Sequence, residues 1–167
     1  MNRPAVFLDR DGVINIDKGY VYKIEDFEWI SGAKEAIKLL NSLNYYIFVV
    51  TNQSGISRGY FKEHDMKELH LFINNELNKI NANIDDFFYS PYHPDGIIKE
   101  YENLKNLRKP ETGMLKLAQN KWGIIKEESF MIGDMPHDME CAEKFGIKGY
   151  IFKGGNLLKF VKHILNN

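Results

Sequence analysis

Ala5-Val6-Phe7-Leu8-Asp9-Arg10-Asp11-Gly12 is the stretch from which the rest of the chain is read. Four apolar residues without polar alternation, stopped abruptly by two acids around an arginine, describe a strand buried on both faces that ends in a polar loop. The run is too short for a helix. Asp9 and Asp11 stand two apart at the strand end, a spacing that lets both side chains project toward the same side of the sheet. Two carboxylates this close repel each other, so a cation or a shared proton must stabilise them. With no histidine or cysteine nearby in sequence, a hard divalent cation with oxygen ligands fits best, Mg²⁺ rather than zinc. The plainer alternative is an acidic turn in which Gly12 supplies a positive φ.

Working outward, strand and helix patterns alternate. Ser31 is placed to cap a helix whose apolar positions run from Ala33 to Leu43 at helical spacing. Tyr45 to Val50 reads as a second buried strand followed by polar Thr51-Asn52-Gln53, and Glu63 to about Ile80 as an amphipathic helix. Phe87 to Tyr89 is a short strand. Pro91 to Pro110 holds three prolines and little periodicity, which in a compact domain marks a functional or mobile loop rather than a linker. Thr112 caps a helix to Trp122; Ser129 to Ile132 forms a strand ending at Gly133-Asp134; Pro136 suits the first turn of a helix to Phe145. Gly149 to Phe152 and Leu157 to Leu165 supply a last strand and helix. This alternation predicts an α/β fold, a Rossmann-like three-layer sandwich with a central parallel sheet, and ligands in such folds bind beyond the carboxyl ends of the strands. Three of those ends carry Asp9/Asp11, Thr51/Asn52 and Asp134.

Composition narrows the function classes. At 167 residues and 44% hydrophobic, residues 1–167 read as one domain with a proper core. Charges nearly cancel, with 22 Lys+Arg against 23 Asp+Glu, so nothing calls for nucleic acid or a membrane surface. The single cysteine, Cys141, excludes an internal disulfide framework and reads as a helix-core residue in a reducing compartment. The N-terminus meets acid at Asp9, too early for a signal peptide or a membrane span, so a cytoplasmic location is the expectation. Nothing requires more than a monomer.

Phosphoryl transfer needs a nucleophile in line with phosphorus, positive charge on the equatorial oxygens and a proton donor for the leaving oxygen. The strand ends offer a candidate for each. Asp9 can attack and form an aspartyl phosphate, and Asp11 can serve as acid and then base. Thr51, with backbone N–H groups near Asn52, can bind phosphate oxygens. Lys109 can neutralise phosphate charge, and Asp134 can complete a metal site with Asp9 and the carbonyl of Asp11. Each has a dull alternative: Thr51-Asn52 as a turn, Lys109 as a surface charge, Asp134 as a helix cap.

Asp9-Arg10-Asp11-Gly12-Val13-Ile14-Asn15, Thr51-Asn52-Gln53-Ser54-Gly55, Arg108-Lys109-Pro110 and Gly133-Asp134-Met135-Pro136-His137-Asp138 resemble, in order, the four motifs of the haloacid dehalogenase superfamily. Gly19-Tyr20-Val21, the run Thr51 to Gly59, Pro91 to Gly96 and Arg108 to Met114 are similar to the heptose bisphosphate phosphatases and the histidinol-phosphatase relatives grouped with them. The resemblance implies Asp9 as nucleophile, Asp11 as acid/base, Thr51 and Lys109 as phosphate ligands, Mg²⁺ on Asp9, Asp11 and Asp134, and a supporting role for Asp138 on Lys109 or the metal waters. It implies a capless phosphatase acting on a small phosphorylated sugar. The leading expectation is removal of the C7 phosphate of a heptose 1,7-bisphosphate, in the route to nucleotide-activated heptose for surface polysaccharide. A histidinol-phosphate or broad sugar phosphatase is the enzymatic alternative, and an inactive binding module the non-enzymatic one.

Two departures from the family pattern stand out. Relatives often bind zinc through C-x-H and C-x-C flanking the Pro91–Pro110 loop, but the corresponding positions here are Ser90, Tyr92, Lys105 and Leu107, so no zinc is expected. Packing by Tyr92, Tyr101 and Leu104 is one way to hold the loop instead. Met135 stands where relatives commonly carry a basic residue. Without room for a cap domain, three loops are left to set specificity, offering Asn15, Lys18, Arg58, His93 and Arg108. Of these, Arg58 and Arg108 suit a second, non-reacting phosphate.

Overall fold

The computed structural model describes residues 2–167. Five strands form one all-parallel sheet: β1 (Ala5–Leu8), β2 (Tyr46–Asn52), β3 (Asp86–Ser90), β4 (Phe130–Gly133) and β5 (Lys148–Ile151), in the order β3-β2-β1-β4-β5. The helices are α1 (Ala33–Ser42), α2 (Glu63–Asn78), α3 (Gly113–Trp122), α4 (Pro136–Phe145) and α5 (Leu157–Leu165).

The period-two geometry of a strand divides each apolar run between two cores. Val6, Leu8, Ile47, Val49 and Ile132 point to one face and pack with α1, α2 and α5 through Ile37, Leu69, Ile73 and Val161. Ala5, Phe7, Phe48, Val50 and Met131 point to the other, against Met114, Leu115, Cys141 and Phe145 of α3 and α4. The three layers expected from the sequence follow directly, because continuous apolar strands must be covered on both sides. Cys141 is a buried helix-core residue, and burial pushes its thiol up to about 11.

The chain runs outward from β1 in one direction through β2 and β3, then returns to place β4 on the other side of β1. That reversal opens a crevice at the carboxyl ends of β1, β2 and β4.

Three local expectations change. The second strand continues through Thr51 and Asn52, which pair with Tyr89 and Ser90, so this dipeptide is strand and not turn. Ser31 does not cap α1: Gly32, at φ 75°, holds the N-cap position. Ser31 instead accepts the Asn156 Nδ2 bond at 3.1 Å, while its carbonyl takes the Leu157 N–H at 2.8 Å, fastening the start of α5. The Pro91–Pro110 segment is structured by two 3₁₀ turns, Lys99–Tyr101 and Lys105–Leu107.

No helix of the described residues is long and apolar enough to cross a membrane.

Candidate active site

The residues singled out at the strand ends converge on one cleft of about 330 Å³ lined by Asp9, Asp11, Asn52, Lys109, Asp134 and His137. Asp9 follows β1 directly and is almost sealed. Its Oδ1 accepts from its neighbour's backbone, Arg10 N at 2.9 Å, and from Lys109 Nζ at 2.9 Å, so two donors fix the carboxylate. Burial raises the Asp9 carboxyl well above its ordinary value, against the pull of Lys109 and with a further push from Asp138.

Lys109 arrives from a distant part of the chain, after the long loop and before a cis bond to Pro110. Its ammonium meets Asp9 Oδ1, Asp138 Oδ1 at 2.7 Å and the Val50 carbonyl at 2.8 Å, one acceptor for each N–H. Those carboxylates outweigh the cost of burial and raise its pKa. The surface-charge alternative is therefore wrong, since the side chain has no exposure. Asp138 contacts Lys109 as expected of a supporting acid, and its Oδ2 also accepts the backbone N–H groups of Asp134 and Met135 at 3.2 and 3.1 Å. An acid at this position of α4 satisfies amides left open at a helix start. Asp134 is accordingly not the helix cap.

The Lys109 backbone is gripped by Asn52: its Oδ1 accepts Lys109 N at 3.0 Å and its Nδ2 donates to Lys109 O at 3.2 Å. Asn52 thus uses its side chain to position Lys109, a role the sequence did not reveal. Thr51 lies beneath, with Oγ1 accepting from Gln53 Nε2 at 2.8 Å, which leaves its hydroxyl proton to donate. The same Gln53 amide reaches Asp11 Oδ2 at 3.1 Å.

Asp11 is held on its other oxygen by Arg10 Nη2 and Asn15 Nδ2, each at 3.0 Å. Asn15 therefore does not serve a substrate loop: it is fully buried under Asp11, also donating to the Ile16 carbonyl. Lys18 is likewise diverted, into an ion pair with Glu28 at 3.0 Å. His137 is a cleft residue that sequence reasoning missed, and burial lowers its pKa. Its only signal was its place inside the last motif.

Among the described residues, Asp9, Asp134 and Asp138 bring carboxylate oxygens within 4.8 Å of one another. Asp138 is committed to Lys109 and the α4 backbone. Asp134 Oδ1, by contrast, is buried without a hydrogen-bond partner, and burial raises this carboxyl also. An orphaned carboxylate oxygen beside a second carboxylate fits a hard cation on oxygen ligands. The Asp11 carboxylate is outside this cluster, so any part it takes in holding a cation falls to its backbone carbonyl. Gly12 makes the close approach possible: at φ 91°, a Cβ there would lie 2.1 Å from Asp134 Oδ2.

The long loop is tied to the loop that follows β2. Ile97 N and Ile98 N both donate to the Ser57 carbonyl, at 2.7 and 3.0 Å, and a Cβ on Gly96 would lie 2.7 Å from Ser57. Tyr101 packs against the small core of Ile56, Phe61 and Met66. Arg108 Nη1 donates to the Tyr92 carbonyl at 3.3 Å, and Arg58 Nη2 contacts the His93 ring at 2.9 Å. Arg58 and Arg108 are close enough that Arg58, after burial, lowers the Arg108 pKa, and that of His93 is lowered by burial first and then by both arginines. Arg58 Nε is buried without a partner.

Known proteins resemble the chain in sequence and in fold. Residues 106–159 match the HAD-hydrolase-like family. The chain is 43% identical over 163 residues to the D-glycero-beta-D-manno-heptose-1,7-bisphosphate 7-phosphatase of Rhodopseudomonas palustris, covering 98% of this chain and 91% of that protein. It is 44% identical to the enzyme of the same name from Photorhabdus laumondii, covering 90% and 81%. Among solved structures, the D,D-heptose 1,7-bisphosphate phosphatase from B. bronchiseptica, complexed with magnesium and phosphate, superposes with a TM-score of 0.81 at 26% identity, covering 98% and 87%. The chain belongs to the D-glycero-beta-D-manno-heptose-1,7-bisphosphate 7-phosphatase family of haloacid dehalogenase-like hydrolases.

Proposed function

We propose that this chain, acting as one domain, is a Mg²⁺-dependent phosphatase that removes the C7 phosphate of D-glycero-beta-D-manno-heptose 1,7-bisphosphate through an aspartyl phosphate on Asp9. The observation that carries the reading is the buried Asp9 carboxylate, fixed by Lys109 and clustered with Asp134, one of whose oxygens is buried without a partner.

The Asp9 carboxylate attacks phosphorus while the bond from phosphorus to the C7 oxygen breaks, and Asp11 gives its proton to the departing alkoxide. Water then attacks the aspartyl phosphate and loses its proton to Asp11. The bond from phosphorus to Asp9 breaks, and inorganic phosphate leaves. Thr51 donates its hydroxyl proton to a phosphate oxygen, with backbone N–H groups near Asn52 as further donors, whereas the Gln53 N–H is spent on the Ser90 carbonyl at 2.8 Å. Lys109 balances charge through the nucleophile it touches. Asp9, Asp134 and the Asp11 carbonyl would hold Mg²⁺, which when bound supplies charge stabilisation to the phosphoryl oxygens. Asp138 keeps Lys109 in place.

The second phosphate of the substrate falls to Arg58 and Arg108, neighbouring guanidiniums whose forked donors suit phosphate. This favours a bisphosphate over histidinol phosphate, which has one phosphate. The substrate is a small soluble metabolite, in keeping with a cytoplasmic monomer.

The test is a phosphate-release assay with Mg²⁺ comparing kcat/KM for the heptose bisphosphate and histidinol phosphate. A preference for the bisphosphate supports the reading; equal or reversed values reject it.

A further inference from the structure

Arg10 is the largest fully buried side chain in the protein, and the reaction above does not use it. A buried guanidinium is costly unless its donors are satisfied, and an apolar side chain of similar volume would serve stability as well or better. Its contacts are therefore informative. Nη2 donates to Asp11 Oδ1 at 3.0 Å and to the Val21 carbonyl. Nη1 donates to Nε2 of His70, at 3.1 Å.

His70 sits on α2, sixty positions away in sequence. It is buried and stacked on Phe87 of β3, with ring centroids 4.5 Å apart at 16°. To accept from an arginine, Nε2 must carry a lone pair, so the ring is neutral with its proton on Nδ1. Burial first, and the Arg10 charge second, hold its pKa well below the ordinary value, consistent with that tautomer.

Asp11 Oδ1 thus receives two donors, Arg10 and Asn15, while Oδ2 faces Gln53. An oxygen that already accepts two N–H groups is the poorer place for a proton, so the arrangement directs the transferable proton to Oδ2.

We propose that His70 is a positioning residue for proton transfer: by accepting from Arg10 it fixes the guanidinium that in turn orients the Asp11 carboxylate. The proposal rests on the reading of Asp11 as acid and base, but not on the identity of the sugar. Proton transfer is sensitive to displacements of an ångström or less, so loss of the back-stop shows in rate rather than in binding.

p-Nitrophenyl phosphate separates this role from a purely structural one. Its leaving group departs without an acid, so formation of the aspartyl phosphate, read as the burst of nitrophenolate, does not need Asp11. Hydrolysis of the intermediate, read as the steady state, does. His70→Phe keeps a ring to stack on Phe87 and removes the acceptor; His70→Gln keeps an acceptor. In His70→Phe we expect an unchanged burst rate and a steady-state rate reduced about 10- to 100-fold, with His70→Gln restoring most of the loss. The proposal is overturned if His70→Phe keeps the wild-type steady state, if burst and steady state fall together in step with a drop in melting temperature, or if His70→Gln is as impaired as His70→Phe. Wild-type inactivity on heptose bisphosphate with normal turnover of p-nitrophenyl phosphate overturns the substrate reading alone.

Discussion

The Lys109 ammonium lies 2.9 Å from Oδ1 of Asp9, with the lysine side chain fully buried and only one-tenth of the aspartate's exposed. One lysine balances two acids here, because Asp138 is 2.7 Å away on its other side. Lys109→Met leaves both carboxylates buried without a cation. Removing one partner of such a group costs about 3–5 kcal/mol, to be read by urea unfolding in the absence of Mg²⁺. Added Mg²⁺ should recover part of the loss, since it would bind Asp9, one of the two acids. A destabilisation below about 1 kcal/mol, the range of surface pairs, would contradict this account of Lys109.

Mg²⁺ should stabilise the fold as well as support turnover. At 100 times its dissociation constant a ligand of the native state adds about 2.7 kcal/mol, and chelation by EDTA should remove both the stabilisation and the activity. Asp134→Asn should abolish the Mg²⁺-dependent rise in melting temperature. Burial raises the carboxyls of both Asp9 and Asp134, so in the acid range protons compete with the ion for these oxygens. Mg²⁺ affinity, measured by calorimetry, should therefore increase as pH rises through the acid range.

His70 gives stability its own pH signature. Its folded pKa is held well below the ordinary 6.5, so below that pH the unfolded chain takes up a proton that the folded chain refuses. The contribution is complete above the ordinary value and is lost as pH falls toward the folded pKa, with a slope of up to ~1.4 kcal/mol per pH unit for one proton. Asp9, raised by burial, acts in the opposite direction over its own range. The difference between wild type and His70→Gln isolates the histidine: the gap in unfolding free energy should narrow, or reverse in favour of the variant, between about pH 7 and pH 5. A gap independent of pH would contradict a neutral buried His70.

Arg58→Ala and Arg108→Ala should raise KM for the bisphosphate about tenfold or more each, the scale of a charged hydrogen bond, while KM for the heptose 7-monophosphate changes little. Gly96→Ala should act in the same direction, because its Cβ would press on Ser57 and the His93 carbonyl and displace the loop. Steady-state kinetics on the two substrates distinguishes these outcomes from a general loss of activity.

What the sequence showed and hid follows from the range of the interactions. The β1 strand and its Asp9/Asp11 end were legible because an unbroken apolar run cut short by acids is a local pattern. Pro136 marked the start of α4 equally well, at its expected boundary. Asn15 was misread as a ligand residue because its burial depends on Asp11 folding back over it, which polarity alone does not show. Asn52 grips a backbone 57 residues away, and Arg10 finds His70 60 residues away. Neither partnership leaves a trace in spacing. Ser31 looked like a cap because it precedes α1, whereas its partners lie in the start of α5. The long loop likewise depends on a remote contact, the Ser57 carbonyl that takes two of its N–H groups.

In the proposed reaction Asp9 carries the phosphoryl group. Acid quench during turnover of the heptose bisphosphate, followed by mass analysis of the peptide containing Asp9, tests it most directly. A phosphorylated peptide is expected whose modification maps to Asp9, appears within the first turnover, and is absent in Asp9→Asn together with activity. An unmodified peptide throughout turnover, with Asp9→Asn still releasing phosphate, would contradict it.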